Sequence, residues 1–129
     1  MRIGLLEDDL AIQEMVRLLL QSEGHEVTIY ASAHDCLADV RVDDPYAGPI
    51  PLNLLLVDLR LSKSASGMSV IEQLRANPRL AALPIILMTA SAAVDKRELE
   101  RLQVALVMKP FDIDEILRLV NEAEDRTLP

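Results

Sequence analysis

Continuous apolar runs alternate along the chain with segments in which apolar residues recur every three or four positions. Ile3-Gly4-Leu5-Leu6, Leu54-Leu55-Leu56-Val57, Ile85-Ile86-Leu87-Met88 and Val104-Ala105-Leu106-Val107-Met108 lack the polar alternation of a half-wet strand. Such runs predict strands covered by helices on both faces. Val27 and Ile29 mark a further strand. Between them, Ile12, Met15, Val16 and Leu19 predict the inner face of a helix that Gly24 stops. Ser32 and Asp35 form a capping box for a helix facing inward through Cys36, Leu37 and Val40. Val70, Ile71 and Leu74 face inward from a third helix, halted by Pro78. Val94, Leu99 and Leu102 do so from a fourth, whose Lys96, Arg97, Glu98 and Arg101 face solvent. Asp112 and Glu115 form a capping box for the fifth, with Phe111 and Ile116 spaced as a hydrophobic staple. Segments 43–51 and 59–67 read as irregular loops.

Strand then helix, five times over, predicts an α/β domain: a three-layer, doubly wound, five-stranded parallel sheet. The chain's 129 residues suffice for one core of ordinary size. Residues 1–122 are expected to form the domain and 123–129 a C-terminal tail or the start of a linker. At 50% hydrophobic and 26% charged residues, the composition is that of a folded soluble domain. No run is long enough to span a membrane, and the N-terminal apolar patch is too short for a signal peptide, so a cytoplasmic location is expected. The net charge of −8 argues against direct nucleic-acid binding, which needs clustered Lys and Arg. Cys36, the single cysteine, reads as a small core residue. His25 and His34 read as surface or helix-end histidines, and Arg60 and Lys63 as surface residues.

The chemistry collects where the runs stop. The first strand ends in Glu7-Asp8-Asp9, the third at Asp58, the fourth at Thr89 and the fifth at Lys109. In a parallel sheet these ends share one edge, where ligands bind. With strand order 2-1-3-4-5, Glu7, Asp8, Asp58, Thr89 and Lys109 converge on one shallow pocket. Singly, each has an ordinary explanation: acids at a helix N-terminus, a turn threonine, a snorkelling lysine. All of them at four strand ends point to a shared site. Clustered carboxylates are hard oxygen ligands of the kind Mg²⁺ takes, and Asp58 is placed to act as a nucleophile on phosphorus.

Leu6-Glu7-Asp8-Asp9, Leu56-Val57-Asp58-Leu59, Met88-Thr89-Ala90 and Met108-Lys109-Pro110-Phe111, in this order, resemble the bacterial response-regulator receiver domain, the CheY-like domain of two-component signalling. The resemblance spans essentially the whole chain. It implies a flavodoxin-like sheet of order 2-1-3-4-5 with five helices. Asp58 would be the phosphoacceptor and Thr89 the hydroxyl that moves toward the phosphoryl group, with Lys109 pairing with that group. Asp8 would bind Mg²⁺ (Mn²⁺ being a possible substitute) directly and Glu7 through water, with Asp58 and the Arg60 carbonyl completing the protein ligands. Three features depart from the pattern. Leu106 stands where the family often has an aromatic residue. The loop after Asp58 is longer, with Ser62-Lys63 in place of the usual Pro-Gly and the expected glycine at Gly67. Residues 43–51 enlarge the segment before the third strand.

The expected function is therefore a phosphorylation-dependent switch in a phosphorelay. Its expected partners are a histidine kinase or histidine phosphotransfer protein, and a downstream protein or fused output domain, with neither nucleic acid nor membrane. The domain would supply the groups for its own phosphorylation and dephosphorylation without being a metabolic enzyme. A constitutive docking module of the same fold is the alternative. A phosphatase of the haloacid-dehalogenase type would want a second Asp two residues after the nucleophile, where this chain has Arg60.

Overall fold

A computed structural model describes residues 1–61, 66–91 and 93–127. The apolar runs form β1 (Arg2–Leu6), β3 (Leu54–Asp58), β4 (Ile85–Thr89) and β5 (Val104–Met108), and the segment marked by Val27 and Ile29 forms β2 (Glu26–Tyr30). All pairs are parallel, and the sheet order is β2-β1-β3-β4-β5. The helices between and after them are α1 (Leu10–Ser22), α2 (Ala33–Asp39), α3 (Gly67–Ala76), α4 (Lys96–Leu102) and α5 (Ile113–Thr127). The CheY-like arrangement inferred from the sequence is thus present. Lys63, expected at the surface, lies outside the described residues, as does the chain end at 128–129.

Alternation along each strand divides the interior into two cores. Leu55, Val57, Ile85 and Leu87 join Val70, Ile71, Leu74 and Leu99, from α3 and α4, on one face of the sheet. Leu54, Leu56, Ile86 and Met88 join Val16, Leu20, Ile116 and Val120, from α1 and α5, on the other. Cys36 is buried as expected, and burial pushes its thiol up to about 12.

Local signals set most helix ends. Asp9, Ser32 and Asp95 accept backbone N–H groups at the starts of α1, α2 and α4, and Ser66 does so for α3. Asp112 also accepts an N–H, but from Asp114 rather than Glu115. Phe111 and Ile116 belong to the same core, as the staple spacing predicts. Gly24 takes a φ of +87° just past α1, in the left-handed region that favours glycine.

Three expectations need correction. Met15 is 42% exposed, while Gln13, Val16 and Leu20 are buried. In so apolar a helix the spacing is right, but its phase is set by the sheet beneath. His25 does lie at a helix end, its N–H donating to the Leu20 carbonyl of α1, but it is not at the surface: it is 7% exposed, with Nδ1 at 3.0 Å from the N-terminal amine and 3.8 Å from Glu124. Burial, then the amine, push its pKa down, against Glu124 and Glu23. Helix α5 runs on to Thr127, into the segment 123–129 expected as a tail or linker start, and Ala123 belongs to the second core.

Candidate functional site

At the carboxyl edge of the sheet, register brings the predicted residues side by side. Leu6 pairs with Val57, so Glu7 and Asp58 follow on neighbouring strands. Asp58 pairs with Met88 and Thr89 with Met108, which places Thr89 and Lys109 one step further along. Glu7, Asp8 and Asp58 each offer a carboxylate oxygen, all within 4.8 Å of one another. Glu7 has no exposed surface, and Asp58 is buried.

Lys109 closes the group. Its Nζ donates to Asp58 Oδ1 at 3.2 Å and to Glu7 Oε1 at 3.4 Å. The ammonium also lies 5.7 Å from the Phe111 ring centroid, within cation–π range. Glu7 is held from its other side, where Oε2 accepts the Asp8 N–H at 3.0 Å and the Asp9 N–H at 3.4 Å. Burial first, and the nearby Asp58 carboxylate second, push the Glu7 carboxyl up to about 7, although Lys109 opposes this.

The remaining predicted residues lie around this group. Thr89 is buried at the end of β4, and its Oγ1 accepts the Ser91 N–H at 2.9 Å. Its backbone carbonyl accepts the Lys109 N–H at 2.7 Å, tying β4 to the lysine. Arg60 points its side chain to solvent, while its N–H lies 3.4 Å from Asp58 Oδ1. Asp9 does not join the cluster's ligand set; it caps α1 through the Ile12 N–H at 3.1 Å.

Two contributors escape a reading based on strand ends. Gln13, from α1, donates to the Glu7 carbonyl at 2.6 Å. Its sequence signal is a polar residue on the buried stripe shared with Val16 and Leu20. Gly67 packs so tightly under the end of β3 that an added Cβ would lie 2.3 Å from the Asp58 carbonyl oxygen. That contact has no local signature.

Three carboxylates this close repel unless protons or cations neutralise them. Lys109 supplies one positive charge against the three carboxylates. A hard oxygen donor set of this kind fits a divalent cation such as Mg²⁺.

A family model described as the response regulator receiver domain matches residues 3–121. The chain is 28% identical to the transcriptional regulatory protein ZraR of Salmonella typhimurium, across 94% of this chain and 26% of that protein. It is 31% identical to the probable transcriptional regulatory protein TcrX of Mycobacterium tuberculosis, across 95% of this chain and 49% of that one. It thus spans about a quarter to a half of the length of these curated relatives. Among solved structures, a sensor protein from Polaromonas sp. superposes with a TM-score of 0.79 at 29% identity, covering 98% of both chains. The receiver domain of a Pseudomonas aeruginosa sensor histidine kinase, described with a magnesium ion coordinated in its active site cleft, superposes with a TM-score of 0.76. That pair is 26% identical, with 94% of both chains covered. Sheet order, an acidic cluster at the strand ends and a family match over nearly all of the sequence agree: the chain belongs to the response regulator receiver domain family.

Proposed function

We propose that this domain is a phosphorylation-dependent switch of a two-component relay. Asp58 takes a phosphoryl group from a phosphohistidine on a histidine kinase or phosphotransfer protein in the cytoplasm. The observation that carries this reading is one ammonium shared between two strand ends. Lys109 Nζ reaches Asp58 at 3.2 Å and Glu7 at 3.4 Å, joining the first strand to the last around the nucleophile.

An Asp58 oxygen attacks phosphorus, the phosphorus–nitrogen bond breaks, and the electron pair leaves on the imidazole, which takes up a proton. Lys109 orients Asp58 beforehand and offsets charge on the phosphoryl oxygens during transfer. Asp8, Asp58 and the Arg60 carbonyl would hold Mg²⁺ directly, with Glu7 acting through water. When bound, this ion supplies further positive charge to the phosphoryl oxygens. The Thr89 oxygen accepts from Ser91, which leaves the hydroxyl proton available for a phosphoryl oxygen. Later a water attacks phosphorus, the bond to Asp58 breaks, and the carboxylate is restored with release of inorganic phosphate. The added charge, collected by Thr89, Lys109 and the cation, biases a pre-existing equilibrium of the face around α4 and β5, where a downstream protein or fused output domain would read it.

Incubation with a small acyl-phosphate donor and Mg²⁺, read by intact mass, tests this. Wild type should gain one phosphoryl group and Asp58→Asn none. No gain, or an equal gain in the variant, overturns the reading. Lys109→Met, which keeps an apolar stem, should slow incorporation roughly 100-fold.

One observation favours the alternative of a constitutive docking module. Leu106, in place of an aromatic, packs against the first core and offers no ring to reorient. Affinity for a partner that an acyl-phosphate mimic leaves unchanged would select that reading.

A further inference from the structure

Gln13 is a polar residue where α1 should be apolar. It is 8% exposed, on the stripe with Val16 and Leu20. Burying an amide there is costly unless it finds a partner. Helical side chains lean toward the helix N-terminus, and Gln13 reaches back to donate its Nε2 proton to the Glu7 carbonyl at 2.6 Å.

That carbonyl matters because of the peptide it belongs to. The Glu7 C=O and the Asp8 N–H share one planar unit. At one end of the plane the carbonyl accepts from Gln13; at the other the Asp8 N–H donates to Glu7 Oε2 at 3.0 Å. Rotating the plane would break both bonds. It would also redirect the carboxylates of Glu7 and Asp8, which leave the backbone on either side of it. Both carboxylates have oxygens within 4.8 Å of an Asp58 oxygen.

We infer that Gln13 is a positioning residue of the acidic pocket, locking the Glu7–Asp8 peptide plane so that both carboxylates face Asp58 around a divalent cation. The inference rests on the metal-assisted reading proposed above. A merely structural Gln13 would support the α1 packing without affecting how the pocket holds an ion.

Titration calorimetry with MgCl₂ separates the two. Gln13→Met keeps the length and volume of the side chain but removes the donor, and should weaken Mg²⁺ binding roughly 10-fold or more, as loss of an outer hydrogen bond to a metal ligand does. Leu119→Ala, a truncation in the core behind α5, should lower the melting temperature and leave Mg²⁺ affinity at the wild-type value. Equal affinity in Gln13→Met and wild type overturns the inference. So does an equal loss in both variants, which would mean that general softening is responsible. If Gln13→Met does not fold, Gln13→Asn draws the amide back by one methylene and should weaken Mg²⁺ binding in the same direction; wild-type affinity there overturns the inference too. Failure of the wild type itself to bind Mg²⁺ would instead sink the metal-assisted reading, and that result is visible without any variant.

Discussion

Glu7 shows what the pocket demands of a single side chain. It is fully buried beside Asp58, and its carboxyl is raised from 4.5 to about 7. Without metal, the folded state therefore holds the Glu7 proton to higher pH than the unfolded chain does. Glu7's contribution to stability is complete below about 4.5, falls as pH rises through the window to about 7, and is constant above it. Glu7→Gln, which mimics the protonated form, should be free of this loss. In chelator, the stability of wild type relative to Glu7→Gln should drop by about 3 kcal/mol across the window. Denaturant titrations at several pH values measure it, and a parallel course of the two proteins would contradict the assignment. Mg²⁺ must displace the same proton, so its affinity should rise with pH over this range and level off above it.

At the level of elements, two contacts decide how the segments around β3 are held. Helix α3 starts directly beneath the end of β3: a Cβ on Gly67 would meet the Asp58 carbonyl oxygen at 2.3 Å and the Leu59 Cα at 3.0 Å. Both are backbone atoms and cannot swing aside. Gly67→Ala should therefore displace the start of α3 or the turn after Asp58, costing about 1–3 kcal/mol and slowing phosphoryl incorporation. Unchanged stability and rate would show that the contact relaxes freely. The second contact lies at the opposite edge of the sheet. Arg79 donates to the carbonyls of Val40, Gly48 and Pro49, and Asn77 Nδ2 donates to Val42. The irregular 43–51 segment, with Tyr46 93% exposed at its surface, is thus pinned from the α3–β4 connection. Arg79→Ala should lower stability by about 1–3 kcal/mol through the carbonyls it strands. Phosphoryl incorporation should stay at the wild-type rate, because the loop is remote from the acidic edge. A matching fall in that rate would reveal coupling between the two edges.

For the molecule as a whole, the sheet acts as a wall with one core on each face, and the carboxylate cluster with its lysine lies at the carboxyl rim. No helix of the described residues is long and apolar enough to cross a membrane. Because the pocket gathers three carboxylates and one lysine, ligation of a cation should stabilise the entire fold. At Mg²⁺ a hundred times its dissociation constant, the gain is about 2.7 kcal/mol. Thermal melts with and without Mg²⁺ should show an upward shift in wild type and a much smaller one in Asp8→Asn. Equal shifts in the two proteins would place the bound ion elsewhere.

Much of this was determined by the residue pattern alone. Buried strands need unbroken apolar runs, which made β1, β3, β4 and β5 legible, while β2 showed itself through the alternating Val27 and Ile29; a carboxylate, hydroxyl or lysine at the end of an apolar run is conspicuous. Caps such as Asp9, Ser32 and Asp95 arise from interactions two or three residues apart; the Ser32 cap was read from the sequence, and the other two lie within reach of the same local search. The family resemblance then supplied expected roles for Glu7, Asp8, Asp58, Thr89 and Lys109. The tertiary structure alone decided what depends on partners distant in sequence. It set the phase of α1 that buries Gln13 and exposes Met15, the enclosure of His25 by the N-terminus, and the wedge of Gly67 under Asp58. It also settled the grip of Arg79 on a loop about 30 residues earlier and the last turns of α5. Periodicity specifies that a helix has an inner face, but the opposing surface selects which residues occupy it, and a bond across many residues leaves no trace in the local sequence.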